Sequence, residues 1–402
     1  MRSLTRIFLI AGVTLILAGC GLFDAVFAKP LDTSGCDRTI EEFYRTGTVT
    51  CGHVTWQLHP AHARRLKGDI FGYFRKYESM YLALRDITGH EPHKPVRILE
   101  QCPKGTPFWE DCPHANLDLQ NPMFVRHDSP LQPFLKGLHD TTSWIPVWTV
   151  YDPTYVTIYA TREFFEYVLP RLVADRRQPV WPSLGHEFGH VFGPSSDGIY
   201  PYMWDKTFVE SFASLWGVDL YLIHQNLAGV SEYYYSDGYC RDLYGFDNWN
   251  CDTYFTFSEF AAPRKNQEFE EFKKNKPTGK DLYPHTVMLL AEVYRQFYRE
   301  GRGEDYYQGM RKTLHYYHRD FHAPDHWEHT GIRSGSETTI REKVSLFVYL
   351  LSVYSHEDLT PQFQQWGFPV NAHIQSWFMA TRRQEYDEKT IRYYADKIAN
   401  GW

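Results

Sequence analysis

Apolar positions recur along the chain with two periods. Over 61–88, Leu66, Ile70, Tyr73, Tyr77, Tyr81 and Leu84 return at three- and four-residue steps, which predicts one face of a helix closed by Gly89. Over 54–59, Val54, Trp56 and Leu58 alternate with Thr55, Gln57 and His59, a strand period. The runs 95–99 and 155–159 predict two further strands, the second alternating most cleanly. Between them 101–146 is rich in Pro, His and Cys without a period, so it is expected to be loop. Beyond 160 the pattern turns helical: 161–174, 182–192 stopped by Gly193-Pro194, 206–223, 283–298 and 338–354. Thr360-Pro361 supply an N-cap and first turn for a short helix ending at Gly367. The charged stretch 264–281 reads as exposed loop, and no internal repeat is present. Strands in the first half and helices in the second predict an α+β protein with a cleft between two lobes. The N-terminal lobe spans 39–180 with a mixed sheet and helices, the mostly helical C-terminal lobe 181–375, and a helical tail 376–402.

Composition narrows the function classes. Of 402 residues 43 % are hydrophobic, enough for a buried core, which excludes wholesale disorder. A net charge of −7 without a basic stripe argues against nucleic acid as partner. Aromatics reach 17 %, with 29 Tyr and 12 Trp, a wealth that suits clefts for peptide or sugar.

The N-terminus is an address. Arg2 and Arg6 flank an apolar run over 7–17, too short to span about 30 Å of hydrocarbon and suited to a secretory signal. Its ending, Leu17-Ala18-Gly19-Cys20, resembles the lipobox of bacterial lipoproteins. The resemblance implies removal of 1–19, acylation (palmitate) of Cys20, and a tether over 20–38. The membrane is then a partner through that anchor, and Gly21 in place of Asp favours the outer membrane. Six cysteines remain: Cys36, Cys51, Cys102, Cys112, Cys240 and Cys251. An even count in an exported chain points to disulfides, with about 15 pairings possible. Nearness favours Cys36–Cys51, Cys102–Cys112 and Cys240–Cys251. The chain lacks a Cys-x-x-Cys spacing, which argues against a cysteine zinc site.

The chemistry centres on His186-Glu187-Phe188-Gly189-His190. Histidines four apart share a helical face and can reach one zinc ion about 2.0–2.1 Å from each nitrogen. Glu187, about a quarter-turn round, can act as base toward a water on the metal. Glu210 follows in a helix on which Ala213, Ser214 and Gly217 share its face, small residues that permit close approach to the first helix and a third ligand.

His186, Glu187, His190 and Glu210 together resemble the zinc-binding set of the gluzincin metallopeptidases, the thermolysin-like clan. The preceding helix and strands resemble that clan's N-terminal lobe. The resemblance implies a two-lobed zincin fold holding one Zn2+, and makes 154–159, with Tyr155, Thr157 and Tyr159, the edge strand that pairs with extended substrate. Ser214 stands where that clan places an acid orienting a ligand His, leaving Asp205 and Asp219 as candidates. The runs 347–351, 358–363 and 366–370 resemble the end of the enhancin-like, mucin-degrading branch, although Val191 replaces that branch's usual Asn. Peptide hydrolysis also needs an oxyanion donor; Tyr283 and His285 are the first candidates, Tyr200 and Tyr202 the next. His315, His318, His322, His326 and His329 have mixed spacing and read as a polar surface.

The expected function is a lipid-anchored zinc endopeptidase of the bacterial envelope, acting on extracellular or envelope proteins or on O-glycosylated, mucin-like glycoproteins. The alternative is a non-catalytic surface lipoprotein that binds glycan or protein around a residual zinc site.

Overall fold

The computed structural model describes residues 35–92, 94–100, 147–151, 154–160, 164–174, 182–192, 213, 215–227, 285–320 and 337–401. The described strands are β1 (Thr48–Cys51), β2 (Val54–Gln57), β3 (Val96–Glu100), β4 (Val147–Tyr151) and β5 (Val156–Ala160). Helices α1 (Ile40–Thr46), α2 (Pro60–Ala63) and α3 (Ile70–Thr88) precede and interleave the first strands. After the sheet come a π-helical turn (Phe164–Val168) leading into α4 (Leu169–Ala174), then α5 (Pro182–Val191). A second π-helical stretch (Leu215–Leu220) runs into α6 (Tyr221–Leu227). The remainder is helical: α7 (His285–Arg299), α8 (Gly303–Asp320), α9 (Glu337–Ser355), α10 (Thr360–Gln365), α11 (Ile374–Arg383) and α12 (Glu388–Ala399). The protein is thus α+β, with one mixed sheet before a helical second half, and no described helix is long and apolar enough to cross a membrane.

The sheet has the order β1-β2-β3-β5-β4, parallel at β2–β3 and β3–β5 and antiparallel at both ends. This corrects the edge-strand expectation. Tyr155 stands just before β5, and Thr157 and Tyr159 lie within it, a strand hydrogen-bonded on both sides. Thr157 is accommodated inside the sheet because Arg97 donates to its Oγ1 through Nη2 at 3.1 Å, and Tyr159 is buried. Among the described strands the edge on this side is β4, whose Val-Trp-Thr-Val-Tyr run follows the loop-like segment.

The long first helix also starts later than its periodicity suggests. Gly68 adopts φ +96°, a left-handed conformation that a helix cannot carry, and Asp69 then accepts from the Gly72 N–H at 2.9 Å as an N-cap. Upstream, Pro60 opens the separate short α2. From α3, Phe74 stacks on Trp56 of β2 at 4.2 Å, building the core between helix and sheet. At the far edge a disulfide joins Cys36 to Cys51; the other candidate cysteines, with Cys20, lie outside the described residues.

In the helical half α9 is buried along most of its length and packs on α8 and α12. Helix α8 has no counterpart in the sequence pattern, because its buried side (Tyr306, Tyr307, Met310 and Leu314) is half tyrosine and set among charged residues. Thr360 does not cap α10. It is the helix's first residue, and Asp358 Oδ1 accepts its N–H instead at 3.1 Å. The two halves are tied by Arg311 of α8, which donates to Asp86 of α3 at 2.7 Å; within the helical half His224 of α6 has its Nδ1 2.6 Å from the Tyr307 hydroxyl of α8. Burial lowers the His224 pKa and raises that of Tyr307.

Candidate metal centre

Helix α5 is ten residues long and carries the His-Glu-x-x-His pattern near its middle. At about 100° per residue its side chains sort into four directions. Leu184, Phe188 and Val191 are buried in the core, and Phe188 meets Tyr77 of α3 at 5.7 Å between ring centroids. Phe192, just past the helix, meets Tyr81 edge-on at 4.9 Å. The second direction is all glycine. A Cβ added at Gly189 would fall on the Ala213 carbonyl oxygen and 2.7 Å from its Cα. A Cβ added at Gly217 would fall on the Gly185 carbonyl oxygen, 2.8 Å from Gly189 N and 2.9 Å from Gly189 Cα. Backbone therefore meets backbone along Gly185, Gly189, Ala213 and Gly217, the close approach that small residues in register allow. Trp216 reinforces it, its indole N–H donating to the Gly189 carbonyl at 2.6 Å. That carbonyl belongs to the last turn of α5, where intrahelical partners run out.

The third direction, away from the core, carries His186 and His190, both partly exposed. Their Nε2 atoms lie 3.0 Å apart, with the ring planes at 86°. Two nitrogens bound tetrahedrally to one ion at about 2.0–2.1 Å stand about 3.3–3.4 Å apart, so the pair meets that geometry by spreading a few tenths of an ångström. The fourth direction is Glu187, 8 % exposed. Its Oε2 accepts from the Thr149 hydroxyl of β4 at 2.7 Å, and its backbone carbonyl lies 3.2 Å from the same hydroxyl. One donor atom of each of His186, Glu187 and His190 falls within 4.8 Å of the others, and among the described residues this is the group of His, Cys and acidic side chains able to hold a metal ion.

The structure thus brings together His186, Glu187 and His190. Glu210, Tyr283, Tyr200, Tyr202 and Asp205 lie outside the described residues, as do the side chains of Asp219 and of His285, the first residue of α7. His315 belongs to another place, its Nε2 2.6 Å from the Asp86 carbonyl. His318 lies in α8 with its side chain outside the described set, and His322, His326 and His329 lie beyond it. Thr149 and Trp216 are contributors that the sequence pattern did not single out. The β-rich run around Thr149 is a signal for a strand, but nothing in it points to Glu187.

No protein-family model and no curated protein matches the chain. Two solved structures resemble it, a functionally unknown conserved protein from Bacillus anthracis str. Ames and a mutant described in the same words. The mutant structure is 14 % identical with a TM-score of 0.45, the other 12 % identical with 0.42. Each alignment covers 86 % of this chain and 55 % of the other, so the chain spans about half the length of those proteins.

Proposed function

We propose that the protein is a zinc-dependent endopeptidase of gluzincin type with a two-lobed zincin-like fold. The observation that carries the reading is the paired imidazoles 3.0 Å apart beside a buried glutamate anchored to a sheet edge. His186 and His190 would hold the ion, with Glu210 as third ligand. Ala213 lies against Gly189 and Gly217 against Gly185, so the two segments run antiparallel in close contact. Zinc, when bound in such a site, supplies Lewis acidity and makes water a nucleophile near neutral pH. Glu187 takes the proton from the attacking water and passes it to the leaving amine. Among the described residues β4 is the last strand of the sheet, and its outer side would pair with an extended peptide. Tyr283 or His285 supplies the donor for the oxyanion.

The substrates on this reading are extracellular or envelope proteins, including O-glycosylated, mucin-like ones, reached from a lipid anchor on Cys20 at the outer membrane. Hydrolysis of mucin before and after enzymatic deglycosylation separates glycoprotein preference from general proteolysis. The primary test is Glu187→Gln, measured by elemental analysis for zinc and by chelator-sensitive casein hydrolysis. The variant is expected to keep its zinc and lose hydrolysis. Cleavage of casein at the wild-type rate would overturn the mechanism.

A further inference from the structure

We infer that Thr149 is a positioning residue for Glu187, an inference that rests on the peptidase reading. The Thr149 hydroxyl has one hydrogen, and of its two acceptors on Glu187 the carboxylate Oε2 at 2.7 Å is the nearer, in the range of charge-assisted O–H···O bonds. A glutamate side chain has three rotatable bonds, and an unrestrained one samples several rotamers. Fixing Oε2 fixes the plane of the carboxylate and hence the direction of the oxygen that must meet the water's proton. The donor comes from β4, paired to β5 with Thr149 opposite Ile158, so the constraint is imposed by a sheet rather than by a loop. Strand and base therefore keep one relative position, and peptide that pairs with β4 is presented to a base already aimed. Misdirection of a general base by an ångström is enough to cost about a hundredfold in rate.

The test uses the full chain, with Thr149→Val removing the hydroxyl at nearly constant shape and Thr149→Ser restoring it. Thr149→Val is expected to lower kcat by about tenfold to a hundredfold with KM changed less than about twofold and zinc content unchanged, and Thr149→Ser to recover to within about threefold of wild type. A second arm reads the contact without catalysis, by melting of the metal-free protein. Thr149→Val should lower the melting temperature more in the wild-type background than in a Glu187→Ala background, where the carboxylate is gone and only the backbone carbonyl of residue 187 is left to accept. Unchanged kcat in Thr149→Val, a loss confined to KM, failure of Ser to rescue, or equal melting shifts in both backgrounds would overturn the role of Thr149. A wild type without chelator-sensitive hydrolysis, but with the larger melting shift in the Glu187 background, overturns the peptidase reading and the catalytic use of the contact together, while the contact itself stands.

Discussion

Gly217→Ala replaces a hydrogen by a methyl group where backbone meets backbone. The new Cβ would fall on the Gly185 carbonyl oxygen and lie 2.8 Å from Gly189 N and 2.9 Å from Gly189 Cα. All three are backbone atoms of α5, so no rotamer change relieves the clash. Ordinary van der Waals contact begins near 3.4 Å, so the helices must part by about half an ångström or more. Overpacking of a close-packed core costs about 1–3 kcal/mol, and a backbone-to-backbone clash belongs at the upper end. Alanine recovers up to about 1 kcal/mol through helix propensity, leaving a net loss of about 2 kcal/mol.

A loss of that size corresponds to a drop in melting temperature of about 2–5 °C for a chain this long. Calorimetry on Gly217→Ala should show it, with Gly303→Ala as the control. At Gly303 the added Cβ meets only the Tyr294 and Tyr298 rings at 3.5 Å, so that variant should be neutral or slightly stabilising. Zinc titration adds a functional arm. If Glu210 completes the site from the helix that carries Gly217, parting the helices weakens zinc binding by at least about tenfold. A Gly217→Ala protein that melts with wild type and binds zinc equally would refute the close-approach reasoning.

Lys343 is 5 % exposed in α9, and burial pushes its pKa down to about 8. Between about pH 8 and the ordinary lysine range the unfolded chain holds the extra proton, so this group makes stability rise with pH there and costs up to about 3 kcal/mol below it; Lys343→Met should flatten that rise in melting temperature against pH, and an unaltered rise would refute the assignment. Replacing Cys36 and Cys51 together by Ala opens a loop of sequence separation 15 and should cost about 3 kcal/mol through the unfolded state, seen as a lower denaturation midpoint and loss of sensitivity to reductant. Equal midpoints for wild type with and without reductant would contradict it.

The sequence disclosed those features whose cause is local. The spacing of His186 and His190 is a one-turn property, and the small face of Ala213 and Gly217 predicted a close approach that the glycines of α5 reciprocate. Strand positions over 54–57 and 96–99 also followed from alternation and β-branched content. What failed was non-local. Whether β5 is an edge depends on β4, a strand reached only after the long segment 101–146, and a run such as Thr157-Ile158-Tyr159 looks half-exposed until Arg97 from the next strand engages its threonine. Helix α8 was hidden for a different reason, since tyrosines that bury one face score as weakly apolar among charged neighbours. The hydroxyl on Glu187 was invisible because 38 residues separate donor and acceptor.

The two unspecified residues of the His-Glu-x-x-His pattern are not spacers here. Phe188 points α5 into the core against Tyr77, and Gly189 admits the backbone at Ala213; between them they fix the rotation of the helix about its axis. With the core and glycine directions committed, the histidine pair must face away from the core, bounded by the Gly217 helix on one side and by Thr149 on β4 on the other. A rotation of one residue, about 100°, would bury an imidazole in the core or drive it into the backbone at Ala213, so packing excludes it outright. The direction in which the histidine pair faces is thus set by residues outside the pair. A His-Glu-x-x-His sequence lacking a large apolar residue and a glycine in those two places would keep its histidines yet lose the packing that aims them here, and that is the physical reason the five-residue pattern is weaker evidence than the seven residues from Leu184 to His190.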